Sequence, residues 1–256
     1  MERENLRKSS VLWYFLFNVM MGLLIGPSVV GGAVKEMITV HNSPVKKRIV
    51  LIGASIGKAW NIEKLPERIH NPDVILEYVG SGTFDKGPQL ADVLRRTELP
   101  HAVIFKECAA YFPGDMGVYK KSMETWVQEC RVKGVVPVLT TVVPVTRLHS
   151  PKKFLIDIVK LRNPFKFGGP FQQKRWKAIL EYNNRIRDYA KKQGLPLLDL
   201  EAALRYSEKD RHLQSRWARY DGLHLKLAAY KVLDGVLSSL LNGMRWEPAS
   251  DRPSSE

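Results

Sequence analysis

Cysteine is scarce: the 256 residues contain two, Cys108 and Cys130. Two cannot make a disulfide framework. Cys108 follows a predicted strand and Cys130 lies on the apolar side of a predicted helix. The pair fits two separate buried thiols, or a single bond in an oxidising compartment. Cys-x-x-Cys and His-rich spacings are absent, so no metal site is expected and nothing asks for a cofactor. Gly-x-Gly-x-x-Gly and a Gly-Lys-Ser/Thr ending are also absent, which sets a nucleotide site aside. No Asn-x-Ser/Thr acceptor follows residue 35, since Asn42-Ser43 runs into Pro44. Acidic residues are few, 26 Asp and Glu against 40 Lys and Arg, for a formal charge of +14. Such a balance favours anionic surroundings, whether lipid headgroups, acidic polysaccharide or nucleic acid, and is silent on fold.

Apolar side chains are plentiful at 45%, with 9% aromatics, so the chain is not of disordered composition. From Ser9 to Val34 no residue is charged, and Arg3, Arg7 and Lys8 precede the run. That length and flank predict an N-terminal membrane anchor over 1–34 with a cytoplasmic N-terminus. The same stretch fits a signal peptide cut after Gly31-Gly32-Ala33, and a buried first helix is a third reading. An anchor or signal would put the rest outside the cytoplasm, tethered in the periplasm or extracellular space, or secreted after cleavage. A linker over 35–47, a globular domain over 48–243 and a disordered tail over 244–256 complete the expected organisation.

Within the domain, apolar runs at Arg48–Gly53, Val74–Gly80, His101–Phe105, Val135–Val143 and Pro196–Leu200 read as strands. Pro137 argues against the first part of the fourth being central. Helices are expected at about Gln89–Arg96, over 116–131 with Tyr119, Met123, Trp126 and Cys130 as the inward stripe, around Trp176–Ala190 and at about Leu225–Leu241. Strands alternating with helices imply a mainly parallel five-stranded sheet covered on both faces. Sites in such sheets lie beyond the carboxyl ends of the strands.

Two elements there carry chemistry. Gly53-Ala54-Ser55-Ile56-Gly57 puts a serine between small residues at a strand-to-helix turn, where backbone N–H groups can hold an oxyanion. The alternative is an N-cap or anion-binding turn. The spacing matches Gly-x-Ser-x-Gly, but in the α/β-hydrolase fold several strands precede that serine, and here it follows the first. Asp221-Gly222-Leu223-His224 offers a base with an acid partner three residues earlier, or else a capping Asp beside an exposed His. His41, His70, His101, His149 and His212 are less well placed.

Together these residues resemble the SGNH (GDSL-like) hydrolase family, in which the nucleophile follows the first strand and an Asp-x-x-His pair lies near the C-terminus. The resemblance runs from Arg48 to Leu241 and implies a flavodoxin-like three-layer sandwich. It also implies hydrolysis of carboxylic esters, often acetyl or acyl groups on sugars and lipids, with Ser55 as nucleophile, His224 as base and Asp221 as its partner. Ala54 stands where the family has Asp. Gly80 or Gly82 matches the glycine whose N–H enters the oxyanion hole. The family's Gly-x-Asn-Asp after the third strand is replaced by Lys106-Glu107-Cys108-Ala109-Ala110-Tyr111, so the Asn donor is missing. Lys106, Tyr111 or a backbone N–H could replace it. Glu107 opposes an oxyanion unless it pairs with Lys106 or points away; the alternative is a role, with Tyr111, in positioning substrate hydroxyls.

The expected partner is a small-molecule, lipid or glycan ester, with the membrane reached through the N-terminal segment. Nucleic acid is the weakest candidate, because the excess charge is scattered; the oligomeric state is left open. Arg147, His149, Lys152, Lys153, Arg162, Lys166, Arg205, Arg211, Arg216 and Arg219 could form a basic rim, or a solvated surface. Phe165, Phe167, Trp217 and Tyr220 could stack on sugars or belong to the core. A non-catalytic binding domain and an O-acyltransferase using the same serine are the competing functions.

Overall fold

The apolar runs become five short strands: β1 (Lys47–Gly53), β2 (Val74–Gly80), β3 (Ala102–Lys106), β4 (Val136–Thr140) and β5 (Leu197–Leu198). A computed structural model describes residues 46–147, 151–161, 170–244 and 246. Every strand pair is parallel, in the order β2-β1-β3-β4-β5. This is the flavodoxin-like order, in which sheet growth reverses between β1 and β3 and leaves a crevice beyond their carboxyl ends.

The helices are α1 (Ser55–Trp60), α2 (Leu65–Arg68), α3 (Gly87–Leu94), α4 (Met116–Val132), α5 (Pro151–Val159), α6 (Pro170–Gln193), α7 (Leu200–Leu204) and α8 (Leu227–Gly243). Alternation along each strand divides the core in two. Ile49, Leu51, Ile104 and Val138 face Ile56 and Trp60 of α1 and Leu233 and Leu237 of α8. Val50, Ile52, Val103, Phe105 and Leu139 face α3, α4 and α6 through Leu90, Trp126 and Ile179. The four successive apolar residues of β1 are fully buried, each contributing about 1.5–3 kcal/mol relative to exposure. The result is a three-layer sandwich with the sheet in the middle, as the strand–helix alternation implied.

One polar contact fixes the layer that carries the nucleophile. Asp234 of α8 accepts from Trp60 Nε1 at 2.7 Å and from two nitrogens of Arg68 at 2.8 Å, tying α1 and α2 to α8. A buried carboxylate in a helix is tolerable when charged and neutral donors surround it in this way.

The fourth strand is shorter than expected, and Pro137 sits inside it, paired with β3 alone. Its register explains this. Val136 N–H donates to His101 O on the β3 side, so the Pro137 nitrogen faces the other edge, where β5 has not begun. No ladder bond is lost there, because β5 pairs with Leu139 and Thr140. The fifth strand ends early because Asp199 caps α7, accepting from Ala202 N–H at 3.1 Å.

The expected transmembrane anchor needs correction. Among the described residues no helix is long and apolar enough to cross a membrane. The 24-residue α6 carries Lys174, Arg175, Lys177, Arg185, Arg187, Lys191 and Lys192, and a cation at a bilayer centre costs about 2.5–3.5 kcal/mol. The 17-residue α8 is shorter than the roughly 20 residues a span needs. Residues 1–34, on which the anchor and the placement outside the cytoplasm rested, lie outside the described residues, as does most of the expected tail. Met244 and Trp246 are described and pack against the α1–α8 side of the core.

Candidate active site

Ser55 is the first residue of α1, directly after β1, and is exposed. The turn before it is held from below. Tyr78 of β2 donates its hydroxyl to the carbonyls of Gly53 at 2.8 Å and Ala54 at 3.2 Å. The Tyr78 ring packs under Gly57, where a Cβ would lie 3.0 Å from ring atom Cε2 and 3.0 Å from Leu51 Cδ2. A side chain at the second glycine of the Gly-x-Ser-x-Gly stretch would therefore press on Tyr78 and Leu51, which would have to give way, as real Cβ atoms rarely approach so closely.

Asp221 and His224 stand on the turn that leads into α8. One carboxylate oxygen of Asp221 accepts from the backbone N–H of Leu223 at 3.0 Å and of His224 at 2.9 Å, while the other meets His224 Nδ1 at 2.6 Å. Gly222 has φ +69°, a left-handed conformation that glycine adopts without steric cost. The opposite ring nitrogen, His224 Nε2, lies 3.2 Å from Ser55 Oγ. Three side chains from the two ends of the domain thus form one hydrogen-bonded line. Burial works against the ionised Asp221. The His224 ring and the two backbone N–H groups overcome it, and the carboxyl falls to about 2. The hydrogen bond to Asp221 raises the imidazole above its ordinary value, against burial and the nearby charges of Arg219 and Lys106.

The other sequence candidates surround this line. Gly80 ends β2, level with Gly53 of β1. Ser81 N–H is taken by Gly53 O at 2.8 Å, and Gly82 is exposed in the loop beyond. Lys106 ends β3, also level with Gly53, and is 1% exposed. Its ammonium donates to Glu107 O at 3.0 Å, and burial pulls it down to about 8. Tyr111 donates its hydroxyl to Ser81 O at 3.1 Å, tying the loop after β3 to the loop after β2. Burial raises that phenol.

Glu107 is 1% exposed and pairs with Lys86, a residue the sequence did not single out. Lys86 is itself fully buried; its ammonium stands 2.6 and 2.7 Å from the two carboxylate oxygens and donates to Phe84 O at 3.1 Å. The rings of Phe84, Tyr111 and Trp126 surround the ammonium at 5.4, 5.6 and 5.5 Å. Burial still pushes Glu107 up to about 7. The effect is electrostatic. Lys86 offsets the carboxylate that would oppose an oxyanion, and the charge of Lys106 is left over. The one available signal was indirect, a carboxylate directly after the buried strand β3, which demands a cation from elsewhere in the chain if it is buried.

Three of the ten expected rim residues are engaged by carboxylates, two of them at a buried one. Arg205 and Arg211 pair with the buried Glu201, and Arg147 pairs with Asp210 at 3.1 Å. Trp217 packs against the core, and Tyr220 is exposed. His149, Arg162, Phe165, Lys166 and Phe167 lie outside the described residues. Cys108 and Cys130 are both free thiols, and burial pushes Cys130 up to about 12.

No protein-family model and no curated protein matches the sequence. Solved structures do match in shape. A GDSL-like lipase from Bacteroides thetaiotaomicron has a TM-score of 0.56 at 16% identity, over 77% of this chain and 89% of that one. A catalytic mutant of an acetylxylan esterase from Geobacillus stearothermophilus has a TM-score of 0.54 at 13% identity, over 79% and 98%. The psychrotrophic esterase of a Pseudoalteromonas species, inhibited by monoethylphosphonate, has a TM-score of 0.52 at 13% identity, over 77% and 97%. With five parallel strands in the order β2-β1-β3-β4-β5 and helices on both faces, the chain has the fold of the SGNH (GDSL-like) hydrolases.

Proposed function

We propose that this protein is a serine hydrolase of carboxylic esters, with Ser55 as nucleophile, His224 as general base and acid, and Asp221 as the group that orients the imidazole. The observation that carries the reading is the continuous line Asp221 Oδ2, His224 Nδ1, His224 Nε2, Ser55 Oγ at 2.6 and 3.2 Å. The likeness to esterases and lipases at low identity supports it through the fold alone.

In this reading His224 Nε2 takes the Ser55 hydroxyl proton as Oγ bonds to the acyl carbon. Asp221 keeps the other proton on Nδ1 and stabilises the imidazolium that forms. The carbonyl oxygen becomes an oxyanion, met by the Ser55 N–H in the first turn of α1, whose N–H groups have no helical acceptor. The N–H of Gly80 or Gly82 is the second donor, and the Lys106 ammonium takes the place of the absent Asn. His224 then protonates the departing alkoxide to leave an acyl-enzyme, takes a proton from water as the water oxygen bonds to the acyl carbon, and returns that proton to Oγ as the Oγ–acyl bond breaks and the acid leaves. A well-placed donor contributes about 3–4 kcal/mol to kcat, which is the scale of what Lys106 has to supply.

The test is hydrolysis of a short-chain aryl ester by the full-length protein, beside Ser55→Ala and His224→Ala. Loss of turnover in both, with fluorophosphonate labelling of Ser55 lost in Ser55→Ala, is expected. Turnover that survives in Ser55→Ala would dismiss the mechanism.

A further inference from the structure

Ion pairing sorts the cations around Ser55. Of the four arginines between residues 200 and 220, Arg205 and Arg211 turn inward to Glu201, and Arg216 lies over the ring of its neighbour Trp217 at 4.4 Å. Arg219 is exposed and has no acidic partner among the described residues.

Its position is set by the backbone. Ala218 and Leu225 form an antiparallel bridge, and Arg219 N–H donates to His224 O at 2.7 Å. Arg219 and His224 therefore stand opposite each other across the turn that holds Asp221. Residues opposed in an antiparallel pair project their side chains to the same side. The Arg219 charge accordingly acts on His224, where it opposes the larger upward effect of Asp221, and on Tyr230. Two more cations share the region. Lys106 acts on His224 from the end of β3, and the exposed Lys58 follows Ser55 by three residues, on the same side of α1. Two carboxylates near the triad are engaged, Asp221 by His224 and Glu107 by Lys86.

We propose that the site takes esters carrying an anionic oxygen group near the ester carbonyl, and that Arg219 selects them by contact with that group. This rests on the serine hydrolase reading and goes beyond it in naming the substrate class. The arginine is suited to the role because its planar fork matches a carboxylate or phosphate bidentately. Its exposure leaves it open to a ligand, and its backbone position opposite His224 places it on the turn that carries the proposed base.

The experiment compares two matched pairs of esters with the full-length protein. Para-nitrophenyl butyrate against mono-para-nitrophenyl glutarate places the charge on the acyl side. Methyl para-acetoxybenzoate against para-acetoxybenzoate places it on the alcohol side. Each kcat/KM is divided by the hydroxide-catalysed rate of the same ester. In at least one pair the anionic member is expected to lead by about tenfold, equivalent to about 1.4 kcal/mol. That lead should shrink as salt rises from ~20 mM to ~0.5 M. It should also fall towards one in Arg219→Gln and survive in part in Arg219→Lys, whatever either change does to the neutral rate. Parity in both pairs, or a lead that Arg219→Gln leaves intact, overturns the proposal. If wild type turns over none of the four esters, the hydrolase reading itself fails and takes this proposal with it.

Discussion

Replacing Lys86 by Met removes the ammonium and keeps most of the side-chain volume among Phe84, Tyr111 and Trp126. What remains is Glu107, 1% exposed, without the cation that stood 2.6 Å away. Removing one partner of a buried ion pair costs about 3–5 kcal/mol, because the survivor is an uncompensated charge. The cost depends on pH, and its sign follows from the titration. Burial already holds Glu107 up at about 7 in the folded protein, and without Lys86 it rises further. A carboxyl that binds its proton more tightly when folded loses stability as pH rises above the unfolded value of about 4.3. The penalty of Lys86→Met should therefore be smallest at about pH 5, where Glu107 is protonated in both folded proteins, and grow above pH 7 by up to about 1.4 kcal/mol per pH unit. Urea unfolding followed by tryptophan fluorescence measures this at both pH values. The double variant Lys86→Met/Glu107→Gln carries no buried charge at this pair and should recover most of the loss at pH 8. Turnover should follow the same order. At a pH high enough to ionise it, an unpaired carboxylate beside Lys106 competes for the charge that the oxyanion needs, so kcat should fall there by about 10²–10³ in the single variant. The double variant should restore most of it. A double variant no more stable and no more active than the single one would refute the assignment of Lys86 as the residue that offsets Glu107.

The pH profile of kcat/KM should have an acid limb set by His224, above the ordinary 6.5 because Asp221 raises the imidazole; Asp221→Asn should move that limb down and lower the plateau. An alkaline limb near 8 is expected where Lys106 loses its proton, and its persistence in Lys106→Met would remove Lys106 from the oxyanion site. Gly57→Val should displace Tyr78 from under the nucleophile turn, costing about 1–3 kcal/mol of stability as overpacking does. Fluorophosphonate labelling should slow with it, and an unchanged labelling rate would mean that the turn does not depend on this contact.

The strands were legible because the buried runs of a parallel sheet are nearly continuous in apolar residues, as in Ile49–Ile52. The convergence of Ser55 with Asp221 and His224 was legible for a topological reason. Each follows a strand or precedes a helix on the side of the sheet where loops gather, so 169 residues of separation do not matter. The partner of Glu107 was not legible, since Lys86 lies 21 residues earlier and neither residue has a local pattern that points to the other. Two members of the expected rim were not legible for a similar reason. Arg205 and Arg211 look like surface charges in sequence, yet Glu201 is fully buried at the start of α7 and draws both inward. Pro137 marked the first part of the fourth strand as not central, and that part does lack a neighbour on one side, because β5 pairs only with Leu139 and Thr140.

The most direct test of the central claim is mass spectrometry of the full-length protein after fluorophosphonate treatment, alongside turnover of a short-chain aryl ester. One adduct on Ser55, absent in Ser55→Ala and slow to form in His224→Ala, with hydrolysis lost in both variants, is the predicted result. A folded wild-type protein that neither labels at Ser55 nor hydrolyses the ester would contradict the account, and would leave the hydrogen-bonded line as a structural feature without catalysis.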